Sequence, residues 1–224
     1  MNERQARDEI GRVGQSLFAR GYVHATAGNI SVRLDDADGG GFLITPTDAC
    51  LGFIDPARLA RVDHGGRQLS GDPASKTLAL HRRIYDAARA FDGDTRAIIH
   101  THSTHAVALT LRCADAELLA PITPYFVMKV GHVPVVPYAR PGAPALADAV
   151  AECIRRYGEA GTPIRSVMLA RLGPTAWHAS AASAMAVIEE LEETARLAML
   201  VDPPPAPLGE AAIDELRRAF GARW

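Results

Sequence analysis

A layered α/β domain with a mixed sheet is the fold class that the 224 residues predict, and three observations carry it. Helical and extended patterns alternate irregularly, not in the strict βαβ order of a parallel sheet. Neighbouring extended segments are joined by short turns of hairpin type. No glycine-rich phosphate fingerprint stands between a strand and a helix, which argues against a doubly wound dinucleotide fold.

The elements follow in order. Residues 2–20 read as an amphipathic helix, with Ile10, Val13, Leu17 and Phe18 on one stripe and Gly21 as its stop. GNISVRL (28–34) and GFLIT (41–45) flank the turn DDADGGG, so a hairpin is expected there. Asp55 starts a helical turn with Pro56 at its first position, and HGGR (64–67) is another turn. Leu78, Leu80, His81, Ile84 and Tyr85 share a helix face within 75–90. AIIH (97–100) is a buried strand and 103–112 a helix. VPVVPY (133–138) is a strand whose prolines push it toward an edge. A helix over 143–160, a strand over 166–170 and a helix over 180–200 complete a domain spanning 1–202. PPPAP (203–207) is a linker, and 209–220 a last helix within an appendage, 203–224.

Composition bounds the function. Hydrophobic residues make up 48% and charged residues 22%, the balance of a globular chain with a full core. Lys plus Arg number 24 against 26 Asp plus Glu, a net charge of −2. No general attraction to nucleic acid or an anionic membrane follows, although a local pocket for a small anion does not need one. The first residues, MNERQARDEIGRVG, are charged where a signal peptide is apolar, and no apolar run is long enough for a membrane span. Three scattered cysteines (Cys50, Cys113, Cys153) without a CxxC fit a reducing compartment, so the expected location is the cytoplasm.

His100-Thr101-His102 closes the AIIH strand. Residues two apart on an extended backbone face the same side, so two imidazoles can meet one metal ion. The same spacing also suits two histidines satisfied by backbone groups. Thr26-Ala27-Gly28-Asn29, Thr45-Pro46-Thr47-Asp48 and Ser75-Lys76-Thr77 are small polar segments, the last opening a helix whose free N–H groups favour an anion. Each is also ordinary turn or cap chemistry. Together they point to a phosphate or carboxylate pocket.

These pieces, in this order, resemble the class II aldolase/adducin family. The match rests on TAGNISVRL (26–34), ITPTD (44–48), SGDPASK (70–76) with His81, IIHTHSTHAVAL (98–109), ITPYFVMKVGHVPVVPYARPG (122–142) and IEELEETARL (188–197). Within the family, the last segments resemble the 3-oxo-tetronate 4-phosphate decarboxylases. The resemblance implies a three-layer α/β/α sandwich and a homotetramer with active sites between subunits. It also implies a divalent metal, most often zinc, held by histidines. His100 and His102 match two ligands. Gly28, Asn29, Thr45, Ser75 and Lys76 match the phosphate side, and Tyr125 matches a proton donor that reaches the site from the adjacent subunit. Lys76 is also a catalytic candidate.

Two positions depart from the family pattern. Thr77 stands where relatives carry a glutamate, and Leu172 stands where they carry the third histidine ligand. A hydroxyl is no carboxylate base, and a hydrocarbon binds no metal. Arg171 beside it offers a fixed charge near that place, or is simply a surface-turn residue. Two functions are therefore expected. One is a carbon–carbon lyase, of decarboxylase or aldolase type, acting on a small phosphorylated sugar acid. The other is a repurposed scaffold with altered or no metal.

Overall fold

A computed structural model describes residues 1–112 and 116–224; Cys113 lies outside the described residues, while Cys50 and Cys153 are free thiols. One sheet of eight strands forms the centre. Its strands are β1 (Asn29–Arg33), β2 (Phe42–Ile44), β3 (Ala60–Val62), β4 (Gln68–Ser70), β5 (Ala97–His100), β6 (Val135–Val136), β7 (Ser166–Leu169) and β8 (Gly173–His178), in the order β4-β3-β2-β1-β5-β8-β7-β6. Every neighbouring pair is antiparallel except β6 with β7, so the sheet is mixed. β6 sits at the edge, as its flanking prolines require.

The helices are α1 (Glu3–Ala19), α2 (Leu78–Ala88), α3 (Thr104–Arg112), α4 (Pro144–Glu159), α5 (Ala181–Leu200) and α6 (Glu210–Phe220). Alternate residues of each strand feed opposite cores. Ile30, Val32, Leu43, Ile99 and Met168 join the stripes of α1 and α5 on one face. Phe42, Ile44, Ile98, Val167 and Trp177 join α2 and α4 on the other. The result is the three-layer α/β/α sandwich, with helices covering both sheet faces.

Local chemistry explains the element ends. Asn2 caps α1 in a reciprocal box with Gln5. Ser180 caps α5 through the Ser183 N–H. Asp55 accepts from the Ala57 N–H ahead of the 3-10 turn at Pro56–Arg58. A π-helical turn over Phe126–Val130 replaces a regular element. α6 lies on its own chain: Ile213 is buried, the Trp224 ring stacks on His132 at 4.3 Å, and Arg223 pairs with Asp92 at 2.6 Å. Among the described residues no helix is long and apolar enough to cross a membrane.

Candidate active site

β1 and β5 run side by side, with Asn29 opposite His100. That register gathers one end of each strand at a cavity of about 250 Å³. Gly28 makes the approach possible. Its φ is +85°, and a Cβ there would meet Val23 Cγ1 at 2.7 Å and the His100 carbonyl at 2.9 Å. Gly173 does the same for β8, where a Cβ would lie 1.9 Å from the Thr101 carbonyl. The chain therefore passes close behind the histidine pair on both sides.

His100 ends β5 almost fully buried. Its Nδ1 lies 2.9 Å from Thr175 Oγ1 and 3.1 Å from the Pro174 carbonyl. The carbonyl has no proton, so Nδ1–H donates, and Nε2 is left with its lone pair. Burial, with the neighbouring histidines adding to it, pulls the ring's pKa down to about 3. The ring is neutral at physiological pH. His102 is half-buried, its ring centroid 5.1 Å from that of His100 at 70°. Burial lowers its pKa first, and His24 second. The His24 ring stands 6.3 Å from His102.

The other wall is small and polar. Gly28, Asn29, Thr47, Ser75, Lys76 and Thr77 line the cavity beside the start of α2, where Ala79 and Leu80 belong to the first helical turn. Ser75 Oγ and Thr77 Oγ1 are 2.9 Å apart. Lys76 Nζ is 3.7 Å from Asp48, both side chains mostly exposed, so the pair holds the ammonium only loosely. Leu146, Leu169 and Leu172 supply an apolar floor.

Most of the expected residues converge here: Gly28, Asn29, Ser75, Lys76, His100 and His102 line one cavity. Thr45 does not. It is buried behind the wall, its Oγ1 accepting from the Ile30 N–H at 3.2 Å and its carbonyl from the Ser75 N–H at 3.2 Å. It shapes the cradle from behind. Tyr125 is 60% exposed and lines a separate groove with Arg20, Glu189, Glu190 and Phe220. Within one chain it does not meet the histidine pair. Arg171 is exposed at φ +65° with its N–H on Thr110 Oγ1, and it does not line the cavity. His178 pairs with Ala97 at the opposite end of β5 from His100, and its Nδ1 accepts from the Ala179 N–H. His105 is taken by Glu192 at 2.8 Å.

The donor chemistry suits a divalent ion, but the donor number does not. A catalytic zinc takes three protein ligands, and among the described residues no three His, Cys, Asp or Glu side chains are grouped to hold a metal. Leu172 lines the cavity beside the two rings. The residues present therefore do not fit a resident three-ligand centre.

The fold is that of the class II aldolase/adducin family, and the chain belongs to that family: residues 8–199 match the Class II Aldolase and Adducin N-terminal domain. Within it, the chain is 51% identical to the 3-oxo-tetronate 4-phosphate decarboxylase of Cupriavidus necator, over 99% of both chains. It is 39% identical to the Escherichia coli K12 protein of that name, over 96% of both. Among solved structures, Escherichia coli YgbL superposes with a TM-score of 0.85 at 39% identity, covering 96% of this chain and 99% of that one. An L-fuculose-1-phosphate aldolase from Thermus thermophilus does so with a TM-score of 0.73 at 28% identity, covering 88% and 94%.

Proposed function

We propose that the chain is a carbon–carbon lyase that decarboxylates a small phosphorylated sugar acid of the 3-oxo-tetronate 4-phosphate type. The observation that carries this reading is the 51% identity, end to end, to a decarboxylase of that substrate. The cavity supports it, since a cradle of hydroxyls, an ammonium and a helix N-terminus suits a phosphate.

Loss of carbon dioxide from a β-keto acid breaks one carbon–carbon bond. The electron pair moves onto the ketone oxygen, and the resulting enediolate then takes a proton at carbon. No base is needed to begin, so a threonine at position 77 damages this reaction less than it would an aldol cleavage. Gly28, Asn29, Ser75, Lys76 and the first turn of α2 would fix the phosphate. Hydrogen-bond donors and the Lys76 charge would stabilise the developing oxyanion. His100 and His102 are the pair to which a divalent ion, zinc first, would bind; with two ligands no step is assigned to it. The same reading takes the protein as a cytoplasmic homotetramer in which Tyr125 of one copy serves a neighbouring copy's cavity as proton donor.

A second reading is favoured by Leu172 and Thr77, which line the cavity where the resemblance implies a metal ligand and a base. On it the scaffold binds a sugar phosphate without this turnover. One experiment separates the two. The protein is purified without added metal, its zinc content measured, and carbon dioxide release from 3-oxo-tetronate 4-phosphate assayed with and without chelator. Turnover that Lys76→Ala reduces supports the lyase. Absent turnover with thermal stabilisation by the sugar phosphate supports the repurposed scaffold.

A further inference from the structure

His81 is fully buried in α2, yet it touches the ligand cavity through one intermediary. Its Nε2 lies 2.6 Å from Asn29 Oδ1, and its Nδ1 lies 2.8 Å from Ser31 Oγ. Ser31 Oγ is 2.9 Å from the Tyr85 hydroxyl, which donates to the Arg96 carbonyl at 3.0 Å. Asn29 lines the cavity; the other members lie behind it.

Proton counting gives this chain a direction. An amide oxygen carries no hydrogen, so the imidazole must supply Nε2–H. A neutral ring then has a bare Nδ1, which accepts the Ser31 O–H. Tyr85 gives its own proton to the Arg96 carbonyl, so the three protons of His81, Ser31 and Tyr85 serve three of the four contacts, and the Ser31–Tyr85 contact is left without a full hydrogen bond. Complete burial, which pushes the His81 pKa down to about 3, keeps the ring neutral.

We infer that His81 is a positioning residue: by engaging Asn29 Oδ1 from behind, it turns the Asn29 amide N–H₂ toward the cavity. That corner then recognises groups that only accept hydrogen bonds, such as a phosphate, a carboxylate or a ketone oxygen, and discriminates against a hydroxyl that must donate. The inference rests on the anion-binding reading of the cavity for its ligand class, whereas the direction follows from Asn29 Oδ1 facing the His81 ring.

Two measurements test it. In the unsubstituted protein, ¹⁵N spectra of the histidine rings distinguish a protonated from a bare nitrogen. His81 as the Nε2–H tautomer is expected. The Nδ1–H tautomer would mean that Asn29 donates into the ring and shows its oxygen to the ligand, which overturns the inference. Inorganic phosphate is then titrated into His81→Leu and His81→Gln, with thermal unfolding recorded for each. His81→Leu should weaken phosphate about tenfold, the loss of roughly one oriented hydrogen bond to a charged group. His81→Gln, whose amide N–H still reaches Asn29, should recover most of it. Equal phosphate affinity in a folded His81→Leu protein overturns the inference. Failure of the unsubstituted protein to bind phosphate counts against the anion reading and leaves the tautomer to decide this one.

Discussion

At Gly28 the chain has no room for a side chain. The positive φ and the 2.7 Å and 2.9 Å approaches act together, because relieving either moves β1 away from the His100 carbonyl. Gly28→Ala should therefore destabilise the fold by about 1–3 kcal/mol, read as a lower urea midpoint, and should weaken phosphate binding through the displaced Asn29. An unchanged midpoint would mean that the loop from Val23 to Asn29 gives way freely. Leu172 poses the opposite test. Because it lines the cavity with His100 and His102, Leu172→His together with Thr77→Glu should give the protein a tight zinc site where the natural chain has a two-histidine one. Calorimetric titration of zinc into both proteins checks this, and equal affinities would show that position 172 does not face the pair. At this scale much was legible in the sequence. His100 and His102 line one cavity, as an extended i, i+2 spacing leads one to expect, although β5 itself ends at His100. The link from Asn29 and Ser31 to His81 and Tyr85 was hidden, although its signal exists: an i, i+2 polar pair on a strand meets an i, i+4 pair on the helix that covers it.

Elements show where local pattern ends and tertiary pairing begins. α3 has its first turn held by another helix: Glu192 on α5 accepts from the His105 N–H at 2.8 Å and the Ala106 N–H at 3.0 Å. Glu192 belongs to the acidic run Glu189, Glu190, Glu192 and Glu193 of α5 and caps the helix that follows His102. Glu192→Ala should cost about 1–2 kcal/mol, as loss of a cap does, measured by denaturant unfolding; a stability equal to wild type would place the helix start under other control. Helices α1, α2, α4 and α5 were legible within a few residues because their apolar periodicity is encoded locally, with side-chain caps adding to it at α1 and α5. β3 and β4 were not, being three-residue segments made into strands by pairing alone. β8 opens with Gly-Pro, a poor strand former by itself, and is drawn into the sheet by partners on both sides, β5 and β7. α6 follows a proline-rich linker yet packs on its own chain, with Ile213 buried and Trp224, just beyond the helix, stacked on His132.

For the whole molecule, the two buried imidazoles tie folding to pH. His81 and His100 both sit neutral inside the sandwich with pKa values of about 3, whereas each titrates near 6.5 when unfolded. Below about pH 6.5 the unfolded chain therefore binds protons that the folded chain refuses, and stability falls as pH drops toward 3. The stability lost is at most about 1.4 kcal/mol per pH unit for each ring. Carboxylates titrate mainly below about pH 4.5, so the interval between 6.5 and 4.5 reports chiefly on histidine. Urea midpoints at pH 7.5, 5.5 and 4.5 should fall steadily, and His81→Leu should flatten the curve without abolishing the slope, because burial also lowers the pKa of His100, His102 and His178. A midpoint that holds steady to pH 4.5 would mean that both rings take up protons in the folded state. In that case the dry junction of β1, β5 and α2, on which the neutral His100 lone pair and the orientation of Asn29 both depend, would be open to water.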